Sequence, residues 1–469
     1  MNKKTIVIGL DGGSWNYIQQ WIDGGKLPTF KKLQSSGIWG IQESQLPPVT
    51  SPNWKCFSTG LNPAKLGVFW WENIDLKNHR IYIPSSESFS GKEIFDYLSD
   101  AGFRVGVVNM PTLYPPHQIN GLMIAGGPDA MESDFTYPAP LEKMLKSKFN
   151  YRILPQNISF MKKDADQVIA EIYRLIKVRF QAAEYLLTEG DFDFFMVAVY
   201  LINVLQHYHW GDDKVFKAWQ IIDNGIKSLL EKFPDRLFIL MSDHGTNEIK
   251  VKFNISAWLE QKGYLRLKTK NSSLKLHKLG ITRERVTKTL TKLGLKDIVK
   301  KAVPKNLQQM LPDDVGHVQF AGKGEMIDWD KSQVIASGQG PIYLLNKDES
   351  FKNQLISELE SLEHQGIKIV NKVYKKEEIY SGQHLSEAPD IIVDQAPNTH
   401  FSGSLGSKEV FEQPQHWKGE NAKNGLFLAY KQGLNPRKQD ISILDYAPTI
   451  LNHFGLDVPK EMDGQLIEL

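Results

Sequence analysis

Two short apolar runs in this chain each break off into acidic residues, and that pattern narrows the fold more than anything else in it. Lys4–Leu10 (KTIVIGL) ends in Asp11-Gly12-Gly13, and Arg236–Met241 (RLFILM) ends in Ser242-Asp243-His244-Gly245. Unbroken apolar runs of this length, bounded by turn residues, fit strands buried on both faces, as in parallel sheets covered by crossover helices. Arg104–Val108, Leu122–Ala125, Phe194–Val199, Ile391–Val393 and Leu426–Tyr430 read as further strands. Asp164–Leu187 carries helical periodicity through Val168, Ile169, Ile172, Leu175, Ile176 and Ala183, and Ile441–His453 reads as the closing helix, with Asp445 a surface or capping carboxylate. The alternation predicts an α/β fold, a doubly wound sheet flanked by helices. Such sheets bind ligands beyond the carboxyl ends of their strands, so Asp11, Asp243 and His244 are expected on one edge.

A third segment belongs with these. In Leu46–Gly60 (LPPVTSPNWKCFSTG), Pro47 and Pro48 restrict the incoming chain, and Ser51-Pro52-Asn53-Trp54 reads as a helix start with Pro52 in its first turn. Thr50 then lies near the positive end of a helix. A threonine in this place is also an ordinary N-cap, so the hydroxyl gains chemical meaning only beside the two acidic strand ends. Asp11, Thr50, Asp243 and His244 are expected to surround one divalent ion.

Composition sets the frame. With 469 residues and 41% hydrophobic content the chain can bury an extensive core. Its one cysteine, Cys56, excludes an intrachain disulfide, fits a reducing compartment and reads as a small packing residue. The lysines at 3 and 4 precede an apolar run that stops at Asp11 without a cleavage pattern, and no stretch approaches the roughly 18 apolar residues that span a bilayer. The expected location is cytoplasmic. From Lys262 to Lys305, fourteen Lys or Arg face only Glu284 and Asp297, although the whole chain carries a net +2. Leu274, Leu276, Leu279, Ile281, Val286, Leu290 and Leu293 give this stretch helical periodicity. It is expected to form a basic, mostly helical cap over 256–324, inserted between the two parts of a catalytic core, 1–255 and 325–469. The cap is either a solvated face or a positive field for a phosphorylated substrate or an acidic membrane surface. Tyr264 is the only aromatic residue in the basic stretch, which disfavours nucleic acid.

The segments VIGLDGGSW, PPVTSPNWKCFSTGLNPAKLGVFWW, NMPTLYPP, MSDHG, FNISAWLEQKGYL and ILDYAPTILNHFGLDVPKEMDG follow one another from residue 7 to near the C-terminus. Together they resemble the type I phosphodiesterase and nucleotide pyrophosphatase branch of the alkaline phosphatase superfamily. The resemblance implies an alkaline-phosphatase-like sheet, two metal subsites, usually zinc, and a covalent intermediate on Thr50. It assigns Asp11, Thr50, Asp243 and His244 to the subsite of the nucleophile, and Asn53 to contact with a phosphoryl oxygen. The other subsite takes an Asp and a His four residues apart and a late His, and here this chain departs. Asn203 and His207 stand in the first pair, and Asn421 stands in the late His position within Gly419–Gly425.

Amide oxygens are poor replacements for zinc ligands. Asn203 and Asn421 therefore read as a polar wall toward substrate, unless His207, His209 or His416, with His400 as a further candidate, rebuilds a second metal site. With one ion, attack by Thr50 keeps its activator, while the water that resolves the intermediate loses one. Hydrolysis of a phosphodiester or nucleotide is the first reading. The second is a single-metal transferase passing a phospho-group to an alcohol acceptor, with His207 or His209 as a general base. The third is a catalytically silent binding protein. The substrate is expected to be a phosphorylated small molecule, a nucleotide or a lipid-linked compound. Trp54 in place of arginine and Thr50 in place of cysteine or serine argue against a sulfatase, and neither a P-loop nor a Gly-x-Gly-x-x-Gly turn is present.

Overall fold

The computed structural model describes residues 3–156, 165–268 and 320–469. Most of the expected basic cap, from 269 to 319, lies outside the described residues.

Five parallel strands form the middle of a ten-stranded sheet: Leu237–Met241, Thr5–Leu10, Phe194–Val199, Val105–Met110 and Gly121–Ala125, in that spatial order. Thr5–Leu10, Val105–Met110 and Phe194–Val199 are buried along their whole length, as expected for strands covered on both faces. Asn424–Tyr430 joins Leu237–Met241 in antiparallel sense, and Ile38–Glu43 adds beyond it. Helices cover this sheet, among them Ala165–Glu189, close to the helix expected from Asp164 to Leu187, and Asp213–Lys232. No helix among the described residues is long and apolar enough to cross a membrane.

The closing helix begins later than its periodicity suggests. Ile441–Ser442 pairs with Gln42–Glu43 at the sheet edge, Ile443–Asp445 makes a single tight turn, and the helix runs from Tyr446 to Phe454. Asp445 accepts from the backbone N–H groups of Ser442 at 2.8 Å and Gln465 at 2.7 Å, so its carboxylate is a cap.

Ile391–Val393 is a strand, but it belongs to another sheet. Val334–Ala336, Pro341–Leu344, Ile391–Gln395 and Val370–Lys375 form a small antiparallel sheet with an apolar cluster of its own, including Phe253, Trp258, Ile342, Leu355 and Phe401. The helix Ile255–Lys262, at the start of the expected cap, packs in this cluster. The long strand Gly245–Asn254 starts directly after His244 and connects the two regions: Gly419–Ala422 lies along its first half and Asn398–Ser402 along its second.

Gly225 lets helix Asp213–Lys232 meet helix Ala165–Glu189, because a Cβ there would lie 2.3 Å from the Phe180 ring. Gly225→Ala gains about 1 kcal/mol of helix propensity but forces that ring out of place, at roughly 1–3 kcal/mol. The expected outcome is net destabilisation, read as a lower midpoint in urea unfolding; a higher midpoint would mean that the helix contact yields freely.

Candidate active site

The parallel strands deliver their chemistry to one edge. Asp11 follows Thr5–Leu10, Asp243 and His244 follow Leu237–Met241, and all three are fully buried. Each carboxylate is held by one oxygen. The indole N–H of Trp54 donates to Asp11 Oδ2 at 3.0 Å, and the Gly12 N–H donates to Asp243 Oδ1 at 3.2 Å. The opposite oxygens, Asp11 Oδ1 and Asp243 Oδ2, have no hydrogen-bond partner among the described residues. They face His244 Nε2 at 3.7 Å and 3.2 Å. His244 Nδ1 lies 2.8 Å from the Gly245 carbonyl, which fixes the proton on Nδ1 and leaves the Nε2 lone pair turned inward.

Packing against the strands sets this geometry. A Cβ on Gly9 would lie 2.4 Å from the Trp54 ring, so only glycine in that central strand lets the indole reach Asp11. Gly12 takes φ +67°, in the left-handed region, and Gln206 Nε2 donates to its carbonyl at 3.0 Å. Gln206 Oε1 in turn accepts from the buried Trp219 indole at 3.1 Å, which ties the Asp11 loop to the helix layer.

Thr50 occupies the first position of helix Thr50–Thr59, and Val49 is the residue before it, so the plain N-cap reading does not apply. Its hydroxyl donates to His244 Nε2 at 3.2 Å. Every residue of this helix is buried, and Lys55 meets Glu93 at 3.0 Å in an equally buried ion pair that anchors the far end. Asn53 serves the loop. Its Oδ1 accepts from Gln45 N–H at 2.8 Å, and its Nδ2 faces the carbonyls of Gln45, Pro47 and Val49 at 3.0–3.2 Å. Its two amide hydrogens are spent there, so the expected phosphoryl contact gives way to a role in shaping the loop that presents Thr50.

Burial, then the charge of Asp243, pushes the Asp11 carboxyl well above its usual range, and burial likewise pushes Asp243 up. Two buried carboxylates side by side are unfavourable without a compensating cation. Among the described residues, Asp11, Asp243 and His244 form the single group of this kind whose ligand atoms converge within 4.8 Å. With its two orphaned oxygens, a lone pair on Nε2 and the Thr50 hydroxyl, the donor set suits a divalent cation.

The expected second subsite is built differently. Asn203 faces the Asp11 carboxyl and works against the rise that burial causes there, while its own Oδ1 is unpaired among the described residues. Asn421 is buried with Oδ1 unpaired, opposite Thr246 in the sheet. His207 donates from Nδ1 to the Gly419 carbonyl at 2.7 Å and stacks on Trp417 at 3.9 Å between ring centroids. Burial depresses it to about 4, so it is neutral at ordinary pH. His209 pairs with Asp212 at 3.7 Å, and His416 is exposed; neither joins the cluster.

Two residues absent from the sequence-based set serve the site, Glu420 near His207 and Trp54 at Asp11. Glu420 is fully buried, accepts from Asn421 N–H at 2.8 Å and Gln339 Nε2 at 2.7 Å through Oε1, and meets His400 Nδ1 through Oε2. Burial works to raise its carboxyl, yet the contact with His400 holds it below the usual range. Its position next to Asn421, in the segment aligned with the late His, was the available signal. Trp54 was weighed only as a missing arginine, and its bond to Asp11 has no local signature.

The protein shares its architecture with several solved structures. Phosphonoacetate hydrolase from Sinorhizobium meliloti 1021, in complex with phosphonoformate, superposes with a TM-score of 0.61 at 15% identity, over 96% of this chain and 95% of that one. Wild-type alkaline phosphatase PafA gives 0.57 at 13%, over 99% and 98%. Murine ectonucleotide pyrophosphatase/phosphodiesterase 5 gives 0.51 at 14%, over 98% and 97%. At these identities the likeness establishes the alkaline-phosphatase-like fold. A search of curated protein sequences gives no significant match. The family model for type I phosphodiesterase / nucleotide pyrophosphatase matches residues 5–421, a span that contains every residue of the site described above. The chain belongs to the type I phosphodiesterase / nucleotide pyrophosphatase family, whose members are phosphoric ester hydrolases.

Proposed function

We propose that the protein cleaves a phosphoric diester or nucleotide with Thr50 as covalent nucleophile beside one divalent cation. The carrying observation is the convergence of two unpartnered carboxylate oxygens, Asp11 Oδ1 and Asp243 Oδ2, on the His244 nitrogen that accepts the Thr50 hydroxyl. Asp11, Asp243, His244 and Thr50 would hold the cation, with zinc fitting an imidazole and two carboxylates. Bound there, it would supply Lewis acidity and lower the Thr50 hydroxyl pKa.

The chain's own groups account for the rest. The positive end of helix Thr50–Thr59 is placed to favour an anionic phosphoryl group, since its first amides have no intrahelical acceptor. Thr50 Oγ attacks phosphorus, and the alcohol of the ester leaves. Trp54 and Gly12 hold the outer oxygens of the two carboxylates, which aims the inner ones. Asn203 and Asn421 offer neutral amides to the substrate side. A phosphorylated small molecule, nucleotide or lipid-linked ester fits this reading, and the excess of Lys and Arg between 262 and 305 would draw such an anion in.

Transfer to an alcohol is the second reading, favoured because the described residues contain one metal-capable cluster only. Product analysis with bis(4-nitrophenyl) phosphate in the presence of an alcohol separates the two: free monoester indicates hydrolysis, and an alkyl diester indicates transfer.

Thr50→Ala is expected to lower turnover by at least about 10³-fold, as for loss of a covalent nucleophile, while still binding metal. Wild-type rates in that variant would remove Thr50 from the mechanism. Trp54→Phe keeps the ring against Gly9 and removes the N–H that aims Asp11. Metal affinity measured by calorimetric titration is expected to weaken about 10- to 100-fold. For thermal unfolding, added zinc is expected to raise the midpoint of the wild type and to leave Asp243→Asn nearly unmoved; an equal rise in both would place the ion elsewhere.

A further inference from the structure

We propose that His400, oriented by Glu420, is the group that takes a proton from the water resolving the phospho-Thr50 intermediate. The proposal rests on the reading of Thr50 as nucleophile.

The two residues have the arrangement of a general base and its orienting acid. Glu420 meets His400 Nδ1 with Oε2, so that Nδ1 carries the proton and Nε2 keeps a lone pair. The His400 side chain is 23% exposed and Nε2 has no hydrogen-bond partner among the described residues, whereas the Glu420 side chain is 1% exposed. A carboxylate buried this deeply costs stability unless it is paired. Here it is held from three directions. Besides His400, it takes the Asn421 N–H and the Gln339 amide, and Gln339 Oε1 is fixed by the Trp70 indole at 2.9 Å. Gln339 sits at φ +58°, a left-handed conformation unusual for a residue with a side chain. That conformation belongs to the short turn between the antiparallel strands Val334–Ala336 and Pro341–Leu344, which places the Gln339 side chain against Glu420.

The Glu420 end of the dyad lies on a strand alongside the metal cluster, and His400 reaches Glu420 from a strand on which it is opposite Lys252. Glu420 is opposite Asn247, and Asn421 opposite Thr246, two residues beyond His244. His207 follows Gln206, whose amide donates to the Gly12 carbonyl next to Asp11, and its own Nδ1 meets the carbonyl of Gly419 next to Glu420. His207 and His400 both flank Trp417, at 3.9 and 6.5 Å between ring centroids. His207 itself is a poor base. Its Nδ1 faces a neutral carbonyl, and burial weakens it as a proton acceptor, whereas a carboxylate partner stabilises the imidazolium that His400 would become. Asn203 and Asn421 cannot supply a second ion to activate water, and a buried acid–imidazole pair can replace that function.

The step balances without a further reagent. The water oxygen forms a bond to phosphorus as its proton passes to His400 Nε2, the bond from phosphorus to Thr50 Oγ breaks, and His400 returns the proton to Thr50 Oγ. The product is a free phosphate monoester and the regenerated hydroxyl.

Glu420→Gln tests the pair with little change of shape. Its Oε1 still accepts from Gln339 and Asn421, but its amide faces His400 Nδ1 as a donor, which moves the ring proton to Nε2 and removes the base. With bis(4-nitrophenyl) phosphate in stopped flow, His400→Gln and Glu420→Gln are expected to keep a burst of one 4-nitrophenolate per active site. Their steady-state rate is expected to fall about 10²-fold or more, with the adduct on Thr50 visible by intact mass, and Glu420→Asp is expected to recover part of the rate. An unchanged steady state in His400→Gln, or a burst that falls in parallel with the steady state, overturns the proposal. Thr50→Ala run alongside keeps the two readings apart. A burst that survives there sinks the nucleophile and the dyad with it, whereas a burst lost there with a normal steady state in His400→Gln sinks the dyad alone.

Discussion

The buried pair of Asp11 and Asp243 is the constraint around which the rest of this structure is arranged. Two carboxylates, fully removed from water and with their inner oxygens unpartnered, would by themselves repel and take up protons. The protein supplies one donor to each outer oxygen and one imidazole between the inner ones, which is incomplete compensation for two negative charges. Each supporting residue then needs support of its own. Trp54 can reach Asp11 only because residue 9 is glycine, and Gln206 holds the Gly12 carbonyl only because Trp219 fixes its other end. Charge at the site therefore explains packing choices in a strand interior and in a helix layer that never approach a substrate.

The parts of this arrangement visible in the sequence are those encoded by contiguous residues. Buried strands show as apolar runs, and the residues that end them must lie on the ligand edge, so Asp11, Asp243 and His244 could be placed together without coordinates. Thr50 was legible for the same reason, through the prolines around it. Asn53 was not, because whether an amide faces a ligand or closes its own loop depends on a backbone path that residues 45–49 do not reveal. The small sheet containing Ile391–Gln395 was missed for a related reason. A run of apolar residues declares a strand but not its neighbours, and here the partners are Pro341–Leu344 and Val370–Lys375. The start of the last helix was misplaced because Ile441 keeps the helical period while its backbone serves the sheet edge.

Glu420, and its pairing with His400, was the least legible feature, although His400 itself was weighed as a metal ligand. The two residues are twenty positions apart and lie on different strands that flank Gly245–Asn254, and nothing local to either implies the other. What identifies them is a physical imbalance: a fully buried carboxylate with three fixed partners, one of which exposes an unclaimed nitrogen. The same reasoning finds Asp11 and Asp243, where the unclaimed atoms are oxygens.

The two imbalances have opposite sign and divide the chemistry between them. The strand-end cluster has surplus negative charge and calls for a cation, which favours attack by a hydroxyl on an anionic phosphoryl group. The neighbouring wall has exchanged charge for neutral amides at Asn203 and Asn421 and for a neutral imidazole at His207, a donor set poorly suited to a second ion. On the proposed mechanism, such a site would separate formation of the covalent intermediate from its breakdown. Formation would depend on the cation and breakdown on proton transfer by side chains, and the acceptor would be decided by whether water or an alcohol reaches that wall.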